Sequence, residues 1–278
     1  NGAHYRAAAR DLQSAVEKFL WVPNPGYYKT HVHITPLPHP FDEDKIVSIA
    51  NAHAVYTGLT DKIGPLDRLA EAMRAMGASK PGLSLYPPYP SGTFSYAQMA
   101  EGQYQNGGQW DWWGGLQITA EFERGLRLRA LEHLKAVASD WAKHPRDIYE
   151  WQMARAQENR GANYYGGSVA TMNEAVIRGL FGVTVEASGV TLAIRLAEQP
   201  GWIRVNVPAS GQFVSYRYTV EGARQSIAYE SNHPRPIAFR VATPIDRIAR
   251  RVTVDGAEVP YTLERLNEDD YAVFSAPS

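Results

Sequence analysis

Residues 179–190 read GLFGVTVEASGV, and the hydrophobic period of the chain changes inside this stretch. Upstream of Gly182, apolar residues recur three and four positions apart, which is the spacing of amphipathic helices. Over residues 183–196 apolar and polar residues alternate instead, as they do in strands with one buried face. The sequence therefore predicts two domains, a helical domain over residues 1–182 and a β-domain over residues 183–278.

The helical half carries several segments with helical periodicity. Helices are predicted over residues 3–20, 44–59, 65–76, 110–124, 126–143 and 167–181. Between the third and the fourth lies a long irregular segment, residues 77–108, which is rich in Pro, Gly and Tyr. A loop of that length inside a compact domain is commonly a functional one.

The β-half contains short alternating segments at intervals of about 8–12 residues, separated by turn residues. Asp255-Gly256 is a strong hairpin signal, because both residue types tolerate the positive φ angles of a tight turn. Short strands at this spacing are typical of antiparallel sandwiches. We therefore expect the C-terminal domain to be an antiparallel β-sandwich.

The composition excludes several classes of function. The chain has 278 residues and no cysteine, so disulfide scaffolds, Cys-ligated metal sites and thiol nucleophiles are excluded. With 28 Lys and Arg against 29 Asp and Glu, the formal net charge is −1. That balance predicts neither nucleic acid nor an anionic membrane as a partner. No apolar run reaches the length of about 18 residues that a membrane span needs.

Aromatic residues are the unusual feature of the composition, since the chain has 7 Trp and 16 Tyr. Many of them stand beside Gly, Pro and Asn in three loop segments, residues 26–31, 86–115 and 148–168. Sugars bind to flat apolar rings, which contact their CH faces, and to planar polar groups, which bind their hydroxyls. The loops therefore indicate a carbohydrate as the partner of this protein.

The candidate substrate-binding residues combine these two kinds of group. Trp110 and Trp113 share one face of the predicted helix, because residues three apart are neighbours on a helix. Gly107 lets the backbone approach a ligand closely. The alternative for each tryptophan is a place in the core between helices, and for the glycine a simple turn. The full set is Tyr28, His31, Tyr89, Asn106, Gly107, Gln109, Trp110, Trp113, Trp151 and Tyr165.

Cleavage of a glycosidic bond needs two carboxyl groups, one to protonate the leaving oxygen and one to act as base or nucleophile. Glu150 lies between Tyr149 and Trp151, where partial desolvation can tune its pKa. Asp111 lies between two tryptophans and is an alternative catalytic carboxyl. The alternative is a structural role for Asp111, because a negative charge in the first turn of a helix interacts favourably with the helix dipole.

His31 and His33 would face the same way on a strand, as two ligands of one metal must. The sequence offers only His39 or Asp42 as a third ligand, and loop histidines also serve as hydrogen-bonding or sugar-contacting groups. We therefore predict no metal and no cofactor. The sequence contains neither a nucleophile elbow of the G-x-S-x-G type nor a glycine-rich phosphate loop.

The segments that carry these candidates resemble a known superfamily. Residues 104–110, YQNGGQW, resemble the Y-x-N-G-G-x-W segment of the six-hairpin, or (α/α)6-barrel, glycosidases, which include trehalases, processing α-glucosidases and debranching-type glucosidases. Residues 50–59, ANAHAVYTGL, are similar to their N-x-x-A-V-x-x-G-L helix. Gly26-Tyr27-Tyr28 looks like their G-Y/F-Y segment, and residues 179–183 resemble the end of their last helix. Asp111 departs from the pattern, because many relatives have Pro there.

The resemblance implies both a mechanism and a fold. Tyr149-Glu150-Trp151 is similar to the aromatic-Glu-aromatic segment that carries the general base of the inverting members. It implies an inverting hydrolysis of α-linked gluco- or mannoside-type sugars, with Glu150 activating the water. The implied fold is an α/α-hairpin toroid, here a partial (α/α)6 barrel, followed by the antiparallel β-sandwich.

A complete barrel of this kind has twelve helices, whereas six are predicted here. The resemblance therefore implies that this chain, which starts without Met, is the C-terminal portion of the enzyme. It also implies that the general acid lies upstream of Asn1. A partial barrel would expose an apolar face, which we expect either a second copy of the chain or the N-terminal half to cover.

Two alternatives to the hydrolase stay open on the sequence. The first is a non-catalytic carbohydrate-binding or structural fragment of such an enzyme. The second is a relative of the glycoside phosphorylases, in which phosphate replaces the base carboxylate. The position of Glu150 between aromatic residues favours the hydrolase over the phosphorylase.

Overall fold

The computed structural model describes residues 2–36 and 39–277. The α-helices of these residues are α1 (Gly2–Phe19), α2 (Ala50–Tyr56), α3 (Gly64–Met76), α4 (Asp111–Glu123), α5 (Arg127–Lys143) and α6 (Gly166–Glu174). Short 3-10 helices cover Glu43–Lys45 and Ala97–Met99, and a π-helical segment covers Ala175–Leu180. No helix in the described ranges combines the length and the apolar character that crossing a membrane requires.

Short strands and two larger sheets complete the secondary structure. The strands are β1 (Trp21–Val22), β2 (Tyr27–Tyr28), β3 (Val47–Ser48), β4 (Leu85–Tyr86), β5 (Trp151–Met153), β6 (Glu158–Arg160), β7 (Val183–Glu186), β8 (Gly189–Ile194), β9 (Gly201–Val207), β10 (Gln212–Glu221), β11 (Arg224–Ser231), β12 (Ile237–Ala242), β13 (Thr253–Val254), β14 (Ala257–Glu258), β15 (Thr262–Leu266) and β16 (Asp269–Ala276).

Helices α1, α3, α4 and α5 lie within one residue of their predicted bounds. Helix α3 shows why: Leu66, Leu69 and Met73 form one buried stripe at helical spacing. The helix ends at Gly77, which has a φ of 74° and so adopts the left-handed conformation of a helix C-cap. The predicted sixth helix is α6 continued by the π-helical segment.

The helix predicted over residues 44–59 is wrong in its first half. Ile46 and Val47 are 0% and 2% exposed, and β3 pairs with β4 in place of a helical turn. Within residues 44–59 the α-helical part is α2, and Asn51 ties its first turn to β2. The Asn51 side chain accepts a hydrogen bond from the Tyr28 N–H at 2.8 Å and donates one to the Tyr28 carbonyl at 2.9 Å.

The chain divides into two compact units. One comprises the chain up to Ala120 together with Leu131–Asn173, and the other comprises Glu121–Ala130 together with Glu174–Ser278. In the first unit the buried apolar residues come largely from α2, α3, α4 and the segments between them. The domain boundary at Gly182 stays a prediction.

The second unit, over the residues that the structure describes, is built on two larger sheets. The first has the strand order β11-β10-β9 and is antiparallel, and the second has the order β15-β16-β12-β8-β7. Alternate side chains of β8, β10 and β12 point into one apolar core, as the period of two predicted. These residues are Val190, Leu192, Ile194, Val214, Tyr216, Tyr218, Ile237, Phe239 and Val241.

The predicted fold class, an α/α-hairpin toroid followed by an antiparallel β-sandwich, is wrong. A toroid needs consecutive helices of similar length that pair along their axes, whereas α2 and α6 have 7 and 9 residues. Segments between the helices pair as two-stranded ribbons, β1 with β2, β3 with β4 and β5 with β6. The five-stranded sheet is mixed, because β8 and β12 run parallel. The fold is therefore a mixed helical and β-rich one.

Arg195 terminates the π-helical segment in the second unit. Its buried guanidinium donates a hydrogen bond of 2.6 Å to the Gly179 carbonyl, one of the groups that a helix end leaves without an internal partner. Gly182, three residues after Gly179, turns the chain with a φ of 70°. Its carbonyl accepts a hydrogen bond of 2.8 Å from the Ala193 N–H, so the two backbones lie in direct contact.

We expect Gly182→Ala to destabilise the protein more than Gly222→Ala does. The φ angles are 70° and 61°, so each alanine costs about 1 kcal/mol through the left-handed conformation alone. A Cβ at residue 182 would lie 1.8 Å from the Ala193 carbonyl oxygen, whereas one at residue 222 meets nothing within 4 Å. Moving the backbone adds about 1–3 kcal/mol. Urea unfolding followed by circular dichroism measures both variants, and equal losses would contradict the prediction.

Candidate functional site

An aromatic cluster surrounds Tyr104 in the first unit. The ring centroids of Tyr96, Trp110 and Trp151 lie 6.4, 4.9 and 5.8 Å from that of Tyr104. Trp113 joins the cluster through Trp110, at 4.9 Å. The indole nitrogen of Trp110 donates a hydrogen bond of 3.0 Å to the Tyr104 carbonyl, so this buried polar group is satisfied. These residues are named the Tyr104 cluster below.

The rings of the Tyr104 cluster differ in their exposure. Trp110 and Trp151 are 3% and 6% exposed, so they form the buried floor of the cluster. Tyr104 and Trp113 are half-buried, and Tyr96 is exposed. Only the last three rings therefore present a surface that a ligand can reach.

Glu150 lies beside the Tyr104 cluster. Its backbone N–H donates to the Ala162 carbonyl at 2.8 Å, and its carboxylate accepts from the Ala162 N–H at 3.1 Å. These two bonds fix the half-buried residue just before β5. Burial first, and then the negative charge of Glu150, raise the pKa of Tyr104, with smaller effects from Tyr96 and Tyr165. Glu150, Tyr96 and Tyr165 thus all act electrostatically on Tyr104.

The glycine-rich loop is held from inside by Asn106, which is 0% exposed. The Asn106 side chain accepts a hydrogen bond from the Tyr89 N–H at 2.7 Å and donates to the carbonyls of Tyr89 and Met99 at 3.0 and 2.9 Å. The Gly107 N–H donates to the Ser84 hydroxyl at 2.9 Å. The observed contacts of Asn106 and Gly107 are therefore contacts that shape the loop.

Gln109 faces a polar cleft on the first unit. Its backbone exchanges two hydrogen bonds with that of Gln152, at 2.9 and 2.8 Å. The residue is 1% exposed, and within the described part of the chain neither polar atom of its side chain has a hydrogen-bond partner. Buried polar groups normally have one, so this amide is available to a ligand or a water. The cleft is lined by residues that include Lys80, Gln109, Asp111, Trp141, Trp151 and Gln152.

Asp111 belongs to a buried ion group at this cleft. The Lys80 ammonium is 2.7 Å from an oxygen of Asp111 and 2.7 Å from an oxygen of Asp140. The indole N–H of Trp141 donates to the second oxygen of Asp111, also at 2.7 Å. Both oxygens of Asp111 are therefore engaged in fixing the start of α4.

Several side chains converge on the carboxylate of Glu43, which is buried with a side-chain exposure of 8%. One carboxylate oxygen contacts Nε2 of His31 and lies 2.6 Å from Nε2 of His33, and these two nitrogens are 2.7 Å apart. The other oxygen is 3.1 Å from Nε2 of His39. Tyr89 also hydrogen-bonds the carboxylate. These residues are named the Glu43 cluster.

The electrostatics of the Glu43 cluster follow from these contacts. Burial raises the pKa of Glu43, but the hydrogen bonds from His31 and His33 outweigh it and the net pKa is lowered. Burial and the adjacent Glu43 carboxylate raise the pKa of Tyr89 to about 12, so its hydroxyl stays protonated and donates. The cluster thus joins two predicted residues, His31 and Tyr89, around a carboxylate.

Tyr28, also predicted to bind substrate, is 4% exposed in the ribbon of β1 and β2. Its hydroxyl donates to the Glu17 carboxylate on α1. Burial, followed by this hydrogen bond, raises the pKa of Tyr28 to about 12. The observed contacts of Tyr28 are therefore with Glu17, with Asn51 and with the Trp21 ring, 5.0 Å away.

Sequence reasoning missed Glu43, Lys80 and Gln152. Glu43 stands in Asp42-Glu43-Asp44, where nothing in the sequence distinguishes one acid from its neighbours. Lys80 precedes Pro81-Gly82 and looks like an ordinary loop lysine. A signal existed only for Gln152, which directly follows the Tyr149-Glu150-Trp151 segment.

Of three comparisons with known proteins, the comparison with solved structures gives a match. No protein-family model matches the chain, and no curated protein matches it. Among solved structures, a chain named as a sialidase matches with a TM-score of 0.61 and 17% sequence identity. The likeness covers 82% of this chain and 22% of the sialidase chain, so this chain spans about a fifth of that protein. It supports a fold that also occurs in a glycosidase, and it does not support the six-hairpin superfamily.

We expect Lys80→Met to destabilise the protein strongly. The Lys80 side chain is 4% exposed, and its removal leaves the carboxylates of Asp111 and Asp140 without their common partner. Breaking a buried ion pair in this way costs about 3–5 kcal/mol. Lys45→Met is the matched control, because Lys45 is 76% exposed in its pair with Asp42. Its loss should cost at most about 1 kcal/mol.

Urea unfolding of the two lysine variants and the parent protein provides the measurement. The prediction is contradicted if Lys80→Met and Lys45→Met unfold at the same urea concentration.

Proposed function

We propose that this chain forms part of a glycoside hydrolase, with Glu150 as the general base. The observation that carries the proposal is the half-buried carboxylate of Glu150 beside the Tyr104 cluster. A base next to aromatic rings is suited to a sugar, since the rings contact its CH faces while the carboxylate faces a water. The fold similarity to a chain named as a sialidase is consistent with this class of activity.

The proposed chemistry is the direct displacement of an inverting enzyme. The Glu150 carboxylate accepts a proton from a water as the water attacks the anomeric carbon. The Ala162 N–H holds one carboxylate oxygen at 3.1 Å, which fixes the direction of the second. A second carboxyl group protonates the leaving oxygen. The product then has the opposite anomeric configuration to the substrate.

The proposed substrate is a neutral α-linked gluco- or mannoside. The groups that act on Tyr104 are aromatic or anionic, namely Glu150, Tyr96 and Tyr165. An anionic sugar such as a sialoside would meet like charge at Glu150, which is unfavourable. The accessible rings of Tyr96, Tyr104 and Trp113 supply the platform, and buried Trp110 and Trp151 support it from below.

Carbohydrate binding without catalysis is the second candidate function, and one observation favours it. Gln109 presents both polar atoms of a buried amide without a partner among the described residues. The Trp141 and Trp151 rings line the same cleft. Such a combination of amide and indole binds sugar hydroxyls and CH faces without needing a catalytic carboxylate.

We expect Glu150→Gln to lower kcat on aryl α-glucosides or α-mannosides by about 100- to 10,000-fold, the usual contribution of a general base. Glutamine keeps the acceptor for the Ala162 N–H, so sugar binding should change little. Glu158→Gln is the matched control, because Glu158 is 53% exposed in a surface pair with Arg160, and it should retain full activity.

Four further measurements complete this test. Azide, a small anion, should restore turnover to Glu150→Ala by replacing the water, and proton NMR should detect an inverted anomer. Unchanged kcat in Glu150→Gln would contradict the role of Glu150. Turnover of an α-sialoside alone would contradict the neutral substrate. Saturable sugar binding without turnover by the parent chain would favour the binding function instead.

A further inference from the structure

The Glu43 cluster contains a triangle of three ligand-type atoms on two short segments. They are Nε2 of His31, Nε2 of His33 and one carboxylate oxygen of Glu43. The nitrogens are 2.7 Å apart, and the His33 nitrogen is 2.6 Å from the oxygen. The third edge, between His31 and Glu43, is also a direct contact. The triangle contains neither Glu150 nor any residue of the Tyr104 cluster.

Hydrogen bonds alone do not satisfy this triangle. Each Nε2 either carries one proton or offers one lone pair. If both nitrogens of His31 and His33 carry protons, two donors face each other at 2.7 Å. If one nitrogen is bare, its lone pair faces the lone pairs of the Glu43 carboxylate oxygen. In every such arrangement one edge of the triangle joins two like groups.

A cation removes this conflict. With the ring proton of each histidine on Nδ1, the two Nε2 lone pairs and the carboxylate oxygen are three electron-pair donors within reach of one cation. A transition metal with tetrahedral bonds of about 2.0–2.2 Å holds its ligand atoms about 3.3–3.5 Å apart. The edges of 2.6 and 2.7 Å therefore need to open by about 0.6–0.9 Å to admit the ion.

The surroundings of Glu43 are those of an oriented metal ligand. His39 lies 3.1 Å from the second carboxylate oxygen, and Tyr89 hydrogen-bonds the same group. Outer partners of this kind fix ligating carboxylates in metal sites. The side chains of His31 and His33 are 39% and 32% exposed, so the opposite side of the triangle is open to solvent.

We propose that His31, His33 and Glu43 bind one divalent transition-metal ion of the zinc class, with its remaining coordination positions open to solvent or to an exchangeable ligand. Imidazole nitrogens favour zinc, iron, nickel and copper over magnesium or calcium, which prefer all-oxygen sites. Two histidines with one carboxylate and open positions form a recurrent set for such ions. His39 and Tyr89 are positioning residues that act through Glu43.

The test is metal binding by the untagged chain after dialysis against a chelator. We expect isothermal titration to give one Zn²⁺ per chain, and Co²⁺ to bind with a visible absorption band. Zn²⁺, but not Mg²⁺, should raise the thermal unfolding midpoint. Removing a ligand in His33→Ala, or the charge of a ligand in Glu43→Gln, should weaken Zn²⁺ binding by more than 100-fold, since even outer partners contribute about 10–100-fold.

Two variants keep the experiment decisive. Tyr89→Phe retains all three ligands and removes only a bond to Glu43, so we expect Zn²⁺ binding about 10-fold weaker with the fold preserved. His53→Ala is the control, because His53 is an exposed histidine stacked on Tyr56, and it should bind Zn²⁺ like the parent. The proposal is overturned if the parent binds no Zn²⁺, or if all folded variants bind it with the affinity of the parent.

Discussion

The candidate site depends on the close packing of residues 80–84 against residues 107–114. Gly82 marks the contact, because a Cβ there would lie 2.0 Å from the Trp110 carbonyl oxygen, and the Trp110 N–H donates to the Gly82 carbonyl at 2.9 Å. Lys80 closes one end of the contact with its buried ion pairs. Such pairs add little net stability over apolar packing, but they tolerate only one arrangement of their partners, and here they fix where α4 begins.

This packing holds Tyr104 in an unusual conformation. Tyr104 has a φ of 44°, which costs of the order of 1–3 kcal/mol and persists only where the surroundings over-determine it. Here they do, since its carbonyl accepts from the Gly108 N–H at 2.9 Å and from the Trp110 indole at 3.0 Å. Gly108 permits this approach, because a Cβ would lie 2.2 Å from the same oxygen. The loop thus holds the Tyr104 ring against the buried rings of Trp110 and Trp151.

Local sequence patterns predicted the helices, but they did not predict which strands pair with each other across long stretches of the chain. Helix α3 follows from its apolar stripe and from Gly77, both of which are encoded in adjacent residues. The parallel pairing of β8 with β12 does not follow from adjacent residues. Alternation specifies which face of a strand is buried, but it does not specify which other strand lies beside it. The same limit applies to the candidate site. The aromatic loops are recognisable in the sequence, whereas no local pattern brings His31 and His33 to Glu43, ten or more residues away.

Asn106 connects the loop of Tyr104 to the Glu43 cluster. Its side chain holds both backbone polar groups of Tyr89, whose hydroxyl reaches the Glu43 carboxylate. Because these contacts are part-buried and directional, the position of Glu43 constrains Tyr89, and Tyr89 constrains a loop residue two positions after Tyr104. A cation that fixes Glu43 would therefore also narrow the positions open to this loop. Metal binding at the Glu43 cluster and sugar binding at the Tyr104 cluster would then both depend on Asn106 and Tyr89. The metal ligands and the proposed general base would still be different residues.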